Sequence, residues 1–111
     1  MTQVSFYQRG ETIDYKNATT DTIPANTVIV LGSRIGVAGM ELAPGEVGTV
    51  HVTGVFKFAK GAEAIAAGAE VYYSDTTGEV SAAKAKDAVL AGFTVEAAAE
   101  ADDAALVKIN A

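Results

Sequence analysis

The sequence predicts an all-β domain, mainly of strands with at most one short helix, folded as a small barrel or sandwich of about eight short strands. Three observations lead to this prediction. Apolar and polar residues alternate over several short runs, turn-forming residues separate those runs, and neither proline interrupts one. A length of 111 residues fits a single domain. We divide it into residues 1–10, an N-terminal arm or edge strand, and residues 11–111, one β-rich domain.

The predicted strands follow the period-two pattern of a half-buried β-strand. The longest run, residues 49–59, contains Gly54, which predicts a bulge or bend. Two further runs cover residues 88–96 and 105–110. The apolar residues that share a face in these runs are Val50, Val52, Phe56 and Phe58; Val89, Ala91, Phe93 and Val95; and Ala105, Val107 and Ile109. Shorter strands are predicted at residues 12–15, 28–31, 35–37, 71–73 and 79–81.

Tight turns connect several of these strands. Residues 74–78 link two short strands, and Gly78 suits the positive-φ position of a hairpin turn. Three other segments each have an apolar residue, then a small residue or proline, then Asn or Gly, and then a strand. They contain Asn26, Gly45 and Gly68, residue types that tolerate the left-handed backbone conformation. We interpret them as three similar turns feeding three strands, too short and irregularly spaced to be a solenoid repeat.

Two alanine-rich segments leave a choice between helix and loop. Residues 60–67 and 96–105 both have high helix propensity. The first is bracketed closely by Gly61 and Gly68, so it has room for a single helical turn. The second lies between two predicted strands, and we interpret it as a loop with at most one turn of helix.

Charge is distributed unevenly along the chain. Residues 1–60 hold five acidic and five basic residues, whereas residues 61–111 hold nine acidic residues and three lysines. The whole net charge of −6 therefore lies in the second half. Nucleic-acid binding requires a basic surface, so this balance argues against a nucleic-acid partner. The N-terminus lacks a signal-peptide pattern and no apolar run is long enough to span a bilayer, so we also expect no membrane partner.

The sequence predicts no enzyme. There is no cysteine and His51 is the single histidine, so the residues of a zinc site are missing. The serines lack the context of a nucleophile elbow, and the glycines form no phosphate loop. The loop acids Asp75, Asp102 and Asp103 lack the spaced series of oxygen ligands that calcium needs. We assign no catalytic residue, metal or cofactor, and we interpret His51 as a surface or interface residue.

The N-terminal residues raise the question of a contact surface. The apolar residues of segment 1–10 precede the first predicted strand, so they belong either to an edge strand that closes the sheet or to an arm that docks on another subunit. Tyr72 and Tyr73 are adjacent in a strand and face opposite sides, so we expect one of them in the core and the other at an interface. The candidate residues for contact with another subunit or a larger surface are Val4, Phe6, Tyr7 and Arg9.

Eight segments, taken in order along nearly the whole chain, form a recognisable pattern: Glu11–Tyr15, Thr22–Ala25, Val28–Val30, Gly45–Gly48, Val52–Phe56, Gly68–Tyr72, Ala91–Phe93 and Ala105–Asn110. Together they resemble the small head decoration proteins of tailed bacteriophages, also called capsid cement proteins. The resemblance implies a non-enzymatic protein that binds the outside of an assembled icosahedral shell, the phage capsid, and resists its internal pressure. It further implies a compact β-rich decoration domain, a homotrimer, the phage major capsid protein as partner, and a place on the virion after synthesis in the host bacterial cytoplasm. No site residues are transferred from the family.

Two other functional classes remain open at this point. One is a small ligand-binding β-barrel, for example for a saccharide, and the other is a DNA-processing accessory factor. Under the decoration hypothesis, the charge-neutral half, including residues 2–8, supplies much of the shell and subunit contact. The acidic half then faces solvent.

Overall fold

Nine short antiparallel strands form two open sheets. The computed structural model describes residues 2–6 and 8–110, and this part of the chain contains no helix. The all-β prediction is confirmed, and the sheets do not close into a barrel. In chain order the strands are β1 (Thr12–Lys16), β2 (Val28–Leu31), β3 (Arg34–Ala38), β4 (Val47–His51), β5 (Val55–Ala59), β6 (Glu70–Ser74), β7 (Glu79–Ser81), β8 (Ala88–Thr94) and β9 (Ala104–Ile109).

The first sheet has the strand order β1-β4-β3-β2, and the second has the order β5-β9-β8-β6-β7. Every strand pair in both sheets is antiparallel. The predicted hairpin at residues 74–78 is confirmed. It joins β6 to β7, Gly78 adopts a φ of 72°, and the Gly78 N–H donates to the Ser74 carbonyl at 2.8 Å.

The two sheets repeat one arrangement of strands. β1, β2, β3 and β4 occupy the same relative places as β5, β6, β8 and β9, and β7 is an insertion between β6 and β8. Backbone contacts outside the main ladders repeat as well. The matching pairs are Val52–Glu11 with Ile109–Gly54, Asn17–Glu46 with Lys60–Asp103, Asn26–Ala38 with Gly68–Thr94, and Ile23–Leu42 with Ile65–Ala98. The chain therefore contains two versions of one motif, residues 11–52 and 54–109.

The three similar turns predicted from the sequence belong to this duplication. Asn26, Gly45 and Gly68 adopt left-handed φ values of 68°, 81° and 76°, and each precedes a strand, which confirms the prediction. A fourth, equivalent turn lies at residues 98–101 and has no left-handed residue. The sequence pattern missed that turn because the pattern depended on Asn or Gly.

The run at residues 49–59 was predicted as one strand and is two. β4 ends at His51 in the first sheet, and β5 begins at Val55 in the second. Gly54, with a φ of 124°, lies at the crossover between the two sheets. The period-two pattern continues through this crossover because the core-facing residues of both strands have even numbers.

A β-bulge overturns part of the predicted pattern in β8. Val71 pairs with Gly92 and Tyr72 pairs with Leu90, so Ala91 is an extra residue on β8. Side chains on the two sides of a bulge change face relative to a regular strand. Val89 and Ala91 consequently face the core as predicted, whereas Phe93 and Val95 face the opposite side.

The main hydrophobic core lies between the two sheets. Ile35 and Val37 of β3 pack against one face of the second sheet, which we call its inner face. Burying a side chain of this size contributes about 1.5–3 kcal/mol. The inner face consists of Phe56, Phe58, Val71, Tyr73, Val80, Val89, Ala91, Ala105, Val107 and Ile109. A smaller cluster, centred on Ile29, Ala38 and Val50, covers the other face of the first sheet.

Two glycines occupy equivalent positions in the duplicated motif. A Cβ atom on Gly36 would overlap the Val50 side chain, and one on Gly92 would overlap the Lys108 carbonyl oxygen. At Gly92 the neighbouring backbone leaves no room for a side chain, and at Gly36 the Val50 side chain fills that space. Both versions of the motif therefore carry glycine at this position.

Two buried polar side chains also occupy equivalent positions, directly after the first strand of each motif. Asn17 donates from Nδ2 to the carbonyls of Asp21 and Leu42, at 2.8 and 3.0 Å. Lys60 donates from Nζ to the carbonyls of Gly61 and Glu63, at 2.9 and 2.5 Å. Both side chains tie down loop carbonyls, which accounts for their burial.

Asn110 ties the end of the second sheet to the first sheet. Its Nδ2 donates to the carbonyls of Ile35 and Val52, both at 2.8 Å, and its Oδ1 accepts from the Ile35 N–H at 3.4 Å. Its own N–H donates to the Ala91 carbonyl at 2.7 Å. The Asn110 side chain thus hydrogen-bonds to the part of β3 that β4 does not reach. It thereby links the two motifs.

Replacing Asn110 with alanine should destabilise the fold by about 2 kcal/mol, because three backbone groups of the first sheet lose their partner. The free energy of unfolding from denaturant titration measures this. Asn26→Ala is a matched control, since Asn26 also has a left-handed φ and lies in an exposed turn. If both variants lose the same stability, the loss comes from backbone conformation and the tether contributes nothing.

Candidate interaction surfaces

The N-terminal arm is the first candidate contact surface. Residues 2–6 and 8–10 form no strand, and their side chains are exposed. Val4 is 92% exposed and Phe6 is 84% exposed, and Arg9 is exposed as well. Tyr7 lies outside the described residues. The structure thus leaves two large apolar side chains of the predicted contact set without cover from the chain's own domain.

His51, Ser74 and Ser81 make contacts within the fold. His51 is half-buried on β4, and its ring centroid lies 6.0 Å from that of Phe56. It faces away from the buried Val50, as the strand pattern predicts. Ser74 donates its hydroxyl to Asp87 at 3.2 Å, and the Ser81 hydroxyl accepts from the Ala83 N–H at 3.1 Å. These hydrogen bonds hold the ends of β6 and β7.

The described residues contain no group of three metal-ligating side chains. Asp102, one of the loop acids considered for calcium, accepts from the Ala99 N–H at 2.8 Å and so closes its own turn. Asp75 and Asp103 are exposed in turns. In residues 2–6 and 8–110 the structure has no helix of the length and hydrophobicity needed to cross a membrane.

Two perturbed pKa values have structural causes. Hydrogen bonds from the Thr76 hydroxyl and the Ser74 hydroxyl lower the pKa of Asp87 below its ordinary value. Burial, followed by repulsion from Asp75, raises the pKa of Tyr73. Asp87 fastens the β6–β7 hairpin to β8, and Tyr73 packs edge-on against Phe58 in the core.

A second candidate surface is the face of the second sheet that points away from the core, which we call its outer face. Cross-strand pairs place Phe93 between Glu70 and Lys108, Tyr72 beside Leu90, and Lys57 beside Leu106. Val55 and Val95 are 52% and 42% exposed. The outer face consists of Val55, Lys57, Glu70, Tyr72, Leu90, Phe93, Val95, Leu106 and Lys108.

The sequence did not reveal this apolar outer face. The prediction that one of the two adjacent tyrosines enters the core is confirmed, since Tyr73 is buried. Tyr72 lies on the outer face. The sequence did contain a signal. Leu90 and Leu106 are large apolar residues that alternate with the core-facing residues of their strands, and apolar residues on both faces are typical of a strand that is covered on both sides. The bulge in β8 concealed the contribution of Phe93.

Most acidic residues of the second half lie away from the centre of this face. Glu70 lies on it together with Lys57 and Lys108, and Glu79 lies on the same side of the sheet at the β7 edge, paired with Ser74. The other acids belong to turns and strand ends; they are Glu63, Asp75, Asp87, Glu96, Glu100, Asp102 and Asp103. Net charge along the sequence is therefore a poor guide to the charge of this particular surface.

The fold is a small all-β domain with two candidate interaction surfaces, the N-terminal arm and the outer face of the second sheet. The model of the phage cement protein family matches residues 7–109, which is nearly the whole chain. The chain belongs to this family, and it has a structural role associated with the phage capsid. Searches of curated proteins and of solved structures found no match.

The lowered pKa of Asp87 makes a testable contribution to stability. A carboxylate whose pKa is lowered by folding stabilises the fold above its unfolded-state pKa, and this contribution disappears as the pH falls through the folded-state pKa. Asp87→Asn should therefore destabilise the protein at pH 7 and have a smaller effect near about pH 2. Thermal unfolding of both proteins at the two pH values measures this, and an equal loss at both would contradict it.

Proposed function

We propose that this chain binds the outer surface of an assembled phage capsid as a homotrimer and stabilises the head. Its membership of the phage cement protein family supports the capsid as partner. We further propose that the chain is made in the host bacterial cytoplasm and joins the capsid there, with its acidic turns facing solvent. The proposed activity is non-covalent binding, and no covalent bond is formed or broken.

The observation on which this proposal depends is the exposure of Val4 and Phe6. Burying a valine or phenylalanine side chain yields about 1.5–3 kcal/mol, and neither side chain obtains this from the chain's own domain. An arm of this length reaches about 30 Å when extended. Arg9 is the single charged residue in segment 1–10, so the arm can approach a protein surface at little desolvation cost.

Stabilisation of the head follows from binding linkage. A protein that binds the assembled lattice but not the separated capsid subunits favours the lattice, by about 2.7 kcal/mol per site when its free concentration is 100 times Kd. A site that spans two capsid subunits has this selectivity, because the complete site exists only in the assembled lattice. Three arms on one trimer raise the effective concentration of each further contact, so moderate contacts produce firm attachment.

Deleting residues 2–8 should weaken binding to undecorated heads at least ten-fold, because the apolar arm contacts are lost. The narrower double variant Val4→Ser/Phe6→Ser should do the same while keeping the length of the arm. Co-sedimentation of the protein with heads, over a range of protein concentrations, gives the affinity.

The matched control is the double variant Met40→Ser/Val47→Ser, which removes two exposed apolar side chains from the domain. It should bind heads like the unchanged protein. Equal affinities for the arm variants and the control would remove the arm from the account. Failure of the unchanged protein to bind any head would overturn the proposed function itself.

A further inference from the structure

The internal duplication allows the outer face of the second sheet to be compared with its counterpart in the first sheet. Aligning the two motifs through their shared backbone contacts makes Val28, Ile35 and Val37 equivalent to Glu70, Leu90 and Phe93. Within the chain, the first set packs against the inner face of the second sheet. The second set occupies the same positions on the other motif, where Glu70 is exposed and Leu90 and Phe93 are half-buried.

The receiving site has a counterpart as well. Val28 and Val37 lie against Phe56 and Tyr73, with Ile109 in the same core cluster. The equivalents of Phe56, Tyr73 and Ile109 in the first motif are Ile13, Leu31 and Val52. These three residues line an apolar depression of about 340 Å³ on the first sheet, together with Arg34, Ile35 and Asn110. We call it the first-sheet depression.

We propose that copies of this chain associate head to tail, with the outer face of the second sheet of one copy packed into the first-sheet depression of the next. This contact repeats between copies the packing that already joins the two motifs within one copy. It rests on the proposed function for its biological setting and specifies the surfaces of the proposed trimer. A heterologous contact of this kind generates a closed ring when its rotation closes.

Charge supports this pairing of surfaces. Copies with a net charge of −6 repel one another over most orientations, so association favours a contact that brings opposite charges together. Arg34 lines the depression, and Glu70 lies on the outer face beside Phe93. Glu70 also stands where the first motif has Val28, so the charge appears in the version of the motif whose outer face is exposed.

The size of the outer face is consistent with an interface. The four strands that carry it, spaced about 4.8 Å apart and about five residues long, span a surface of roughly 300 Å². The largest apolar patch on a typical monomer is about 300–600 Å² and often has a function. Lys57 lies at the β5 edge of this face, and Lys108 lies within it, between Val55 and Phe93.

Charge reversal tests the pairing without disturbing the core, because Glu70 and Arg34 are both exposed. The unchanged protein should show a concentration-dependent mass above the 11.3 kDa monomer in analytical ultracentrifugation. Glu70→Arg and Arg34→Glu should each weaken the association about ten-fold, and the double variant should restore it. A monomer at every concentration, unaffected single variants, or a double variant as weak as the singles would each overturn the proposal.

Complementary mixing tests the head-to-tail geometry. Phe93→Asp blocks the outer face and Leu31→Asp blocks the depression, so each variant alone should stay monomeric while an equimolar mixture forms dimers and nothing larger. Circular dichroism verifies that each variant folds. If Phe93→Asp does not fold, Glu70→Arg takes its place on the outer face; if Leu31→Asp does not fold, Arg34→Glu takes its place in the depression. Val47→Asp, a substitution at an exposed strand valine on neither surface, should associate like the unchanged protein. A mixture that remains monomeric would overturn the proposal.

This test separates two kinds of failure. Association is measured without any capsid, so a protein that assembles head to tail but ignores heads contradicts the proposed function and leaves the proposed surfaces intact. A protein that binds heads but whose association is indifferent to these substitutions contradicts the surfaces alone.

Discussion

The packing of β3 against the inner face of the second sheet is the contact on which the rest of the structure depends. Ile35 and Val37 fill that face, and the Asn110 side chain holds the same region of β3 by hydrogen bonds to both the N–H and the carbonyl of Ile35. Together these contacts fix the two motifs relative to each other. That placement leaves the arm, the outer face and the first-sheet depression available for the contacts that we propose.

The same motif serves two purposes because its two versions bury different faces. The first version packs one face of its sheet against the inner face of the second sheet. The corresponding face of the second version is the outer face, which points away from the core. The shared requirements of the motif appear as Gly36 and Gly92, where a Cβ atom would overlap the neighbouring strand, and as the buried Asn17 and Lys60, which hold loop carbonyls. On the face that the first version buries, Val28 stands at the position that Glu70 occupies in the second version.

Local chemistry made much of this fold predictable from the sequence. Period-two runs located nearly every strand, and the left-handed tolerance of Asn26, Gly45 and Gly68 located three turns. The bulge at Ala91 was invisible to a parity argument, because one extra residue changes the face of everything after it. The crossover at Gly54 was hidden for the opposite reason, since the parity continued from one sheet into the other.

The candidate surfaces were less predictable than the fold. The apolar arm stands out in the sequence because it precedes the first strand, and the structure describes Val4 and Phe6 as exposed. The outer face and the depression emerge only when β8, β9 and β2 are placed in space. Long-range placement of this kind depends on tertiary packing, which neither propensity nor charge counts contain.

The central claim is that this protein acts by covering the outside of a phage capsid with its own surface. An image reconstruction of the virion that contains it tests this most directly. The account predicts density for the two-sheet domain outside the capsid shell, with residues 2–8 in contact with capsid protein. Density confined to the interior or the tail, or an arm that projects into solvent away from the shell, would contradict it.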